Sequence, residues 1–432
     1  MANERRSLIA SNARVQAPWV KVSIGEYTFG VFNKTKASEK DQNGYYYTSF
    51  NVQYPNFIQR LEIIKINGQV NQYTLSLTYP VTQTSDPNFF DKVFSSVNKS
   101  RKIVFSYGDM SMPTFIYRNE EAIITKVKQN FNIKGGGEIN YTVSAVSSAA
   151  LSAGGSWTFQ GLHGKPSDSI KRILKDPKYG LRNLFTGMNL SNIDLLIAGD
   201  DKEVDIEAKR SISALDYITY LVSCMIPQSF TTGQLASSDI YILTMHDDTV
   251  FDESIIKGTS ISGAYFRVER ISYKTNKSDA FQIDIGFGNT GTIVTDFSIT
   301  DDENYALLYD YNTKLDVDPY VQRIDNNGKL QTIWAPTATS KNADFITRPE
   351  DIVWWTKMTK YPIKASITVQ GLLRPAILMD HVRLNVIYPG GRKHVSSGLY
   401  LVTQQRDVID SSGYRTTLSL TKIAGDDSVM PY

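Results

Sequence analysis

The chain has 432 residues, 41% of them hydrophobic and 21% charged, which suits two to four folded domains and excludes a disordered polymer. A net charge of +2 argues against an electrostatic binder of nucleic acid or of anionic membrane. One cysteine, Cys224, excludes an intrachain disulfide framework, and 25 tyrosines suit strands and wet protein interfaces.

Residues 1–14 are polar and are expected to be ordered by a partner; with no apolar run after their arginines, no signal peptide is expected. The most apolar stretch, Leu215–Pro227, contains Asp216 and is too short to span a bilayer, which needs about 20 residues. From Trp19 to Val146 the signals are almost entirely β. Leu61–Ile66 is apolar and β-branched, and Tyr73, Leu75, Leu77 and Tyr79 alternate with polar neighbours. Ile103–Tyr107, Ala122–Lys128 and Ile139–Val146 continue the pattern, the last two bracketing a glycine-rich turn. One helix interrupts after Asp86-Pro87, with Phe89, Val93 and Phe94 expected on one face.

Ser147–Ser156 reads as a small-residue linker, and residues 151–345 as an α+β domain. Ser167 is positioned to cap a helix that Pro177 stops. Ser213, with Asp216 three residues on, resembles a capping box before the apolar stripe Leu215, Ile218, Leu221, Val222 and Met225, and Cys224 reads as a structural thiol on that helix. Strands are expected at Tyr241–Thr244, Ala264–Ser272 and Phe281–Phe287, a turn at Asp325–Lys329, an irregular connection over Gln331–Asp344 and a helix over Arg348–Lys360.

Tyr361–Ile423 alternates from end to end. Ile363, Ala365, Ile367 and Val369 alternate with polar residues, and Gly371 with Pro375 ends that strand. Val382–Val386, Leu399–Gln404 and Tyr414–Thr421 follow, separated by Tyr388-Pro-Gly-Gly-Arg and Asp410-Ser-Ser-Gly turns. The hairpin here mirrors one near the N-terminus. Thr125 matches Thr403, both tips carry glycine, and both return strands carry Thr, apolar, Ser, apolar: Thr142–Ala145 and Thr417–Leu420. From the residues alone a duplication and a coincidence weigh about equally.

The order strand, Gly-Leu-Leu-Arg-Pro, strand, Ser-Ser-Gly-Leu-Tyr-Leu-Val-Thr-Gln-Gln, turn, Ser-Gly-Tyr-Arg-Thr-Thr-Leu-Ser-Leu resembles the last domain of phage tail hub (baseplate hub) proteins. That family includes the hubs of contractile-tailed phages and the hub portion of type VI secretion spikes. The direct match covers about a fifth of the chain. The resemblance implies a mainly β fold, with two similar small antiparallel tail-tube-like β-barrels, residues 15–150 and 346–432, flanking the mixed insert. It implies a homotrimeric structural protein of the virion tail tip, assembled in the host bacterial cytoplasm, that joins a six-fold tail tube to a three-fold central spike and lines the DNA ejection channel. The implied partners are the tail tube or tube-initiator protein, the central spike, baseplate wedge proteins and the tape measure protein. Neither specific nucleic-acid binding nor membrane insertion is implied. Expected interface residues are Ile124, Thr125, Tyr141, Thr142, Arg374, Tyr400, Thr403, Tyr414, Thr416 and Thr417.

No chemistry competes well with this reading. Gly286–Gly291 matches G-x-G-x-x-G but is followed by β-branched Thr292-Ile-Val-Thr rather than a helix start, so a bend is expected and no cofactor. His246 with the carboxylates after it lacks a second imidazole or thiolate, so it reads as a solvated acidic loop and no metal is expected. The same reading covers the turn Ala198–Asp201 and the cluster Asp301–Glu303. Trp354-Trp355 on a helix point about 100° apart and form no sugar-stacking shelf. No serine sits in a nucleophile elbow, so no catalytic residue is assigned. The competing classes are a receptor-binding or lectin-like tail protein and a cell-wall-degrading tail enzyme.

Overall fold

The computed structural model describes residues 18–31, 54–55, 57–81, 86, 88–109, 117–132, 137–147, 150, 155–179, 181, 193–230, 239–246, 265–272, 281–286, 294–301, 320–324, 330–334, 363–371, 378, 381–394 and 396–425. The 1–14 arm, the Arg348–Lys360 helix with Trp354-Trp355, Arg374, Phe287–Gly291, the acidic residues after His246, Asp302-Glu303, the turn 325–329 and residues 335–344 lie outside them. The irregular connection expected over Gln331–Asp344 is corrected at its start, where Gln331–Trp334 lie in a strand whose ladder to Tyr320–Ile324 fixes them.

The elements run β1 (Pro18–Ile24), β2 (Tyr27–Val31), β3 (Tyr54–Pro55), β4 (Ile58–Ile66), β5 (Gln72–Pro80), α1 (Phe89–Ser100), β6 (Lys102–Asp109), β7 (Tyr117–Asn132) and β8 (Glu138–Ser147). The middle holds β9 (Trp157–Phe159), β10 (Leu162–Gly164), α2 (Pro166–Lys175), α3 (Ile193–Leu196), β11 (Val204–Ile206), β12 (Lys209–Ile212), α4 (Ala214–Ser223), β13 (Asp239–His246) and β14 (Tyr265–Ser272). Then come β15 (Phe281–Gly286), β16 (Val294–Asp301), the hairpin β17 (Tyr320–Ile324) and β18 (Leu330–Trp334), β19 (Ile363–Gln370), β20 (His381–Ile387), β21 (Gly398–Asp410) and β22 (Gly413–Gly425).

Fourteen strands share one sheet. Its first part runs β4-β5-β8-β7-β6-β1-β2-β3 and its second β16-β19-β22-β21-β20-β15. Taken in chain order, β15, β16, β19, β20, β21 and β22 stand where β1, β4, β5, β6, β7 and β8 stand, so these six strands repeat in pairing order, while β2 and β3 have no counterpart among the described residues. Only the end strands differ in direction: β1 runs antiparallel to β6, β15 parallel to β20. Two of the repeat's strands, β15 and β16, come from upstream of residue 346 and pair with β20 and β19. Among the described residues the sheet is an open path, not a pair of closed barrels, because the outer half of β21 leaves β20 and pairs with β4.

Period-two alternation builds the cores. In β5 the expected Tyr73, Leu75, Leu77 and Tyr79 point inward, and in β19 Ala365, Ile367 and Val369 do. Helix α1 closes the first core with Phe90 and Val93 buried, while Phe89 and Phe94, expected on that face, are only partly buried. Phe90 lies 4.4 Å from Tyr141 and 5.8 Å from Phe29, ring to ring, and so ties the helix to the aromatic centre of that core.

The middle has its own core around α4, whose Leu215, Ile218, Leu221 and Val222 are buried together with Cys224 and Met225 just past its end. Ser213 accepts from the Asp216 amide at 3.0 Å, the cap expected from spacing. At α2 the expected cap is replaced. Lys165 holds the cap position without a side-chain bond, and Ser167 sits buried inside the first turn. The carboxylate of Asp201, a residue expected in a solvated acidic turn, accepts from the Ser167 amide at 2.9 Å and from its hydroxyl at 2.5 Å. Asp201 is fully buried, since a carboxylate can satisfy the free amides of a first turn from elsewhere in the chain. Burial pushes its carboxyl above the usual range, with the Ser167 bonds opposing.

A candidate assembly site at the joint between the two repeats

Two bulges give the repeats a common ruler. The β7–β8 register slips at Thr125 and the β21–β22 register at Thr403. At each slip the threonine hydroxyl donates across the hairpin to a serine carbonyl: Thr125 to Ser144 at 3.2 Å and Thr403 to Ser419 at 3.1 Å. The β4–β5 register slips at Gln59 and the β16–β19 register at Thr295, again at equivalent places. One matched bulge is unremarkable. Two, with the same hydrogen bond at one of them, fix which residue of one repeat corresponds to which of the other.

Inside the chain the repeats meet through β21 and β4, antiparallel, from Gln404 opposite Ile66 to Asp410 opposite Arg60. On the outer face Arg406 donates to Glu62 at 2.7 Å, and Arg60 donates to the same carboxylate at 2.8 Å. On the core face Gln405, Asp407 and Ile409 are 1%, 0% and 6% exposed. Asp407 accepts from Gln405 at 2.5 Å and from Thr416 at 2.6 Å, and Ile409 and Tyr414 join the first repeat's apolar core. Tyr414 meets Tyr107 edge-on at 6.1 Å, so a side chain of the second repeat seals the first. Gly371 lets it sit there: its amide donates to the Tyr414 carbonyl at 2.7 Å, and a Cβ would fall 2.1 Å from the ring. Beside the joint, buried Glu120 accepts from Lys65 at 2.8 Å, Tyr73 at 2.7 Å and Tyr107 at 2.6 Å.

The ten expected interface residues separate by burial. Ile124, Tyr141, Tyr400, Tyr414 and Thr416 face the chain's own interior. Burial pushes the Tyr141 phenol up to about 12 and the Tyr400 phenol upward as well. Thr125 and Thr403 mark the bulges, Thr142 and Thr417 lie half-buried on the face away from the cores, and Arg374 is outside the described residues. The sequence marked Leu61–Ile66, the body of β4, as a strand but gave no sign of its pairing with β21, and Arg406 and Glu62 were not singled out. Alternation announces a strand but not its partner.

The described residues hold no group of three or more His, Cys, Asp or Glu side chains placed for a metal, and no helix among them is long and apolar enough to cross a membrane.

No protein-family model and no curated protein matches the chain. Solved structures do. The tail protein from Neisseria meningitidis MC58 aligns at 11% identity and TM-score 0.46, over 96% of this chain and 98% of that one. The 43 kDa tail protein of prophage MuSo2 from Shewanella oneidensis aligns at 8% and 0.46, over 94% and 96%. The E. coli c3393 protein, described as a type VI secretion component with structural similarity to T4 tail proteins gp27 and gp5, aligns at 10% and 0.44, over 88% and 77%. These neighbours are phage tail and type VI secretion proteins. At such TM-scores the likeness carries no functional argument, which comes from the joint and the repeat.

Proposed function

We propose that this chain is a structural protein of a phage-type tail, a trimeric hub that joins a six-fold tube to a three-fold spike. The observation that carries the proposal is the doubled module with its head-to-tail joint inside one chain. A contact that uses different surfaces on its two sides is heterologous, and where its rotation is one sixth of a turn six such modules close into a ring. Three chains of two modules give six similar lobes, so one face can match a six-fold tube while the chain count matches a three-fold spike. The tube or its initiator, the central spike, baseplate wedge proteins and the tape measure protein are the partners this role requires, and the tail tip is its place.

The sheet face away from the cores fits a channel wall. Thr74, Ser76, Thr142, Ser144, Thr368 and Thr417 alternate with the buried residues of their strands and share that face. Short hydroxyl side chains make much of this face wettable; it also carries Arg60, Arg406, Lys126 and Lys128, with the two arginines paired to Glu62, so its basic groups are partly neutralised. The test is placement: an affinity-tagged chain built into tails should be labelled at the tail tip alone. Label along the tube or on fibres overturns the proposal.

A further inference from the structure

The joint has a counterpart that the single chain leaves open. In β21 the outer half pairs with β4; in β7 the corresponding half, Lys126–Asn132, pairs only with β8 among the described residues. At the opposite end of the sheet β16, the equivalent of β4, pairs only with β19 among the described residues. Two half-joints therefore remain on one molecule, the outer half of β7 and the edge strand β16, each matching one side of a joint already made.

Burial marks the same place. By the bulge ruler Val127, Gln129 and Phe131 correspond to Gln405, Asp407 and Ile409. The second trio is buried at the joint, whereas Gln129 is exposed and Phe131 is 62% exposed. Phe297, the equivalent of buried Leu61, is half-buried against the second core.

We propose that β7 of one copy adds antiparallel to β16 of a second copy, in the register of the internal joint. Val408 pairs with Glu62 and Ile409 with Leu61 inside the chain. Carried over, Asn130 lies opposite Ser298 of the partner subunit and Phe131 opposite Phe297 of the partner subunit. The aromatic pair then fills, between copies, the position that Ile409 and Leu61 fill within one. Main-chain bonds supply the adhesion, as in strand addition generally, and Lys126 and Lys128 guard the edge against unspecific pairing. This inference rests on the ring reading above and specifies how the ring is joined.

The test uses the full chain with Asn130→Cys and Ser298→Cys; the native Cys224 is buried. Opposite Cβ atoms in an antiparallel pair lie about 4.5–5.5 Å apart, within reach of a short bis-maleimide. Cross-linking should give covalent species ending at three chains. Mixing the Asn130→Cys and Ser298→Cys single variants should give dimers that neither gives alone. Lys126→Cys with Ser298→Cys, off register by about 13 Å along the strand, should cross-link at least ten-fold less. Phe131→Asp should stay folded and monomeric, while Phe131→Leu assembles. Equal cross-linking off register, dimers from a single variant, or a trimer by light scattering without the cross-link would overturn this joint and leave the ring standing. A chain monomeric at every concentration and inside assembled tails would overturn the joint and the ring together.

Discussion

At the scale of single residues, two side-chain environments decide whether the joint can form. Gly371 faces the Tyr414 ring with no space for a methyl group, so Gly371→Ala must displace a buried aromatic. Overpacking of this kind costs about 1–3 kcal/mol, and chemical denaturation of Gly371→Ala should show a loss in that range. Glu120 holds the buried Lys65 ammonium and two tyrosine hydroxyls. Removing one partner of a buried ion pair costs about 3–5 kcal/mol. Glu120→Ala should lose that much in the same measurement, and a loss under about 1 kcal/mol would refute its structural weight. Asp200 gives a pH signature. Burial opposes its ionisation, but bonds from Arg270 and Tyr241 win and hold its pKa below the ordinary 3.8. Its contribution is therefore present above about pH 4 and lost as pH falls through the lowered value. A melting-temperature profile from pH 6 to pH 2 should fall more steeply for the parent than for Asp200→Asn.

At the scale of elements, alternation made most strands legible, because a strand with one wet face must show its period in the sequence. The pairing of Thr125 with Thr403 was legible too, since both hairpins keep their return-strand pattern. Three things were not. Phe281–Phe287 reads as a strand and the run from Thr292 only as β-branched, yet nothing local says that β15 and β16 complete a sheet with residues more than 60 positions away. The acidic turn at Asp200 and Asp201 hides a buried cap and an ion pair with Arg270, and burial is a tertiary property. The joint itself unites residues 344 apart, such as Arg406 and Glu62. It should also couple the repeats in unfolding. Placing a charge at its buried centre with Ile409→Asp should split one calorimetric transition into two, because the repeats then melt separately.

At the scale of the whole molecule, the proposed ring requires that the contact between the repeats inside a chain be copied between chains. The most direct measurement is an electron-microscopic reconstruction of the assembled particle. At low resolution it should show a ring of six similar lobes. At high resolution the lobes should alternate between residues 18–147 and residues 281–425, with β7 of each subunit paired to β16 of the next. A two-fold dimer, or a ring whose neighbouring lobes meet through any other strands, would contradict it.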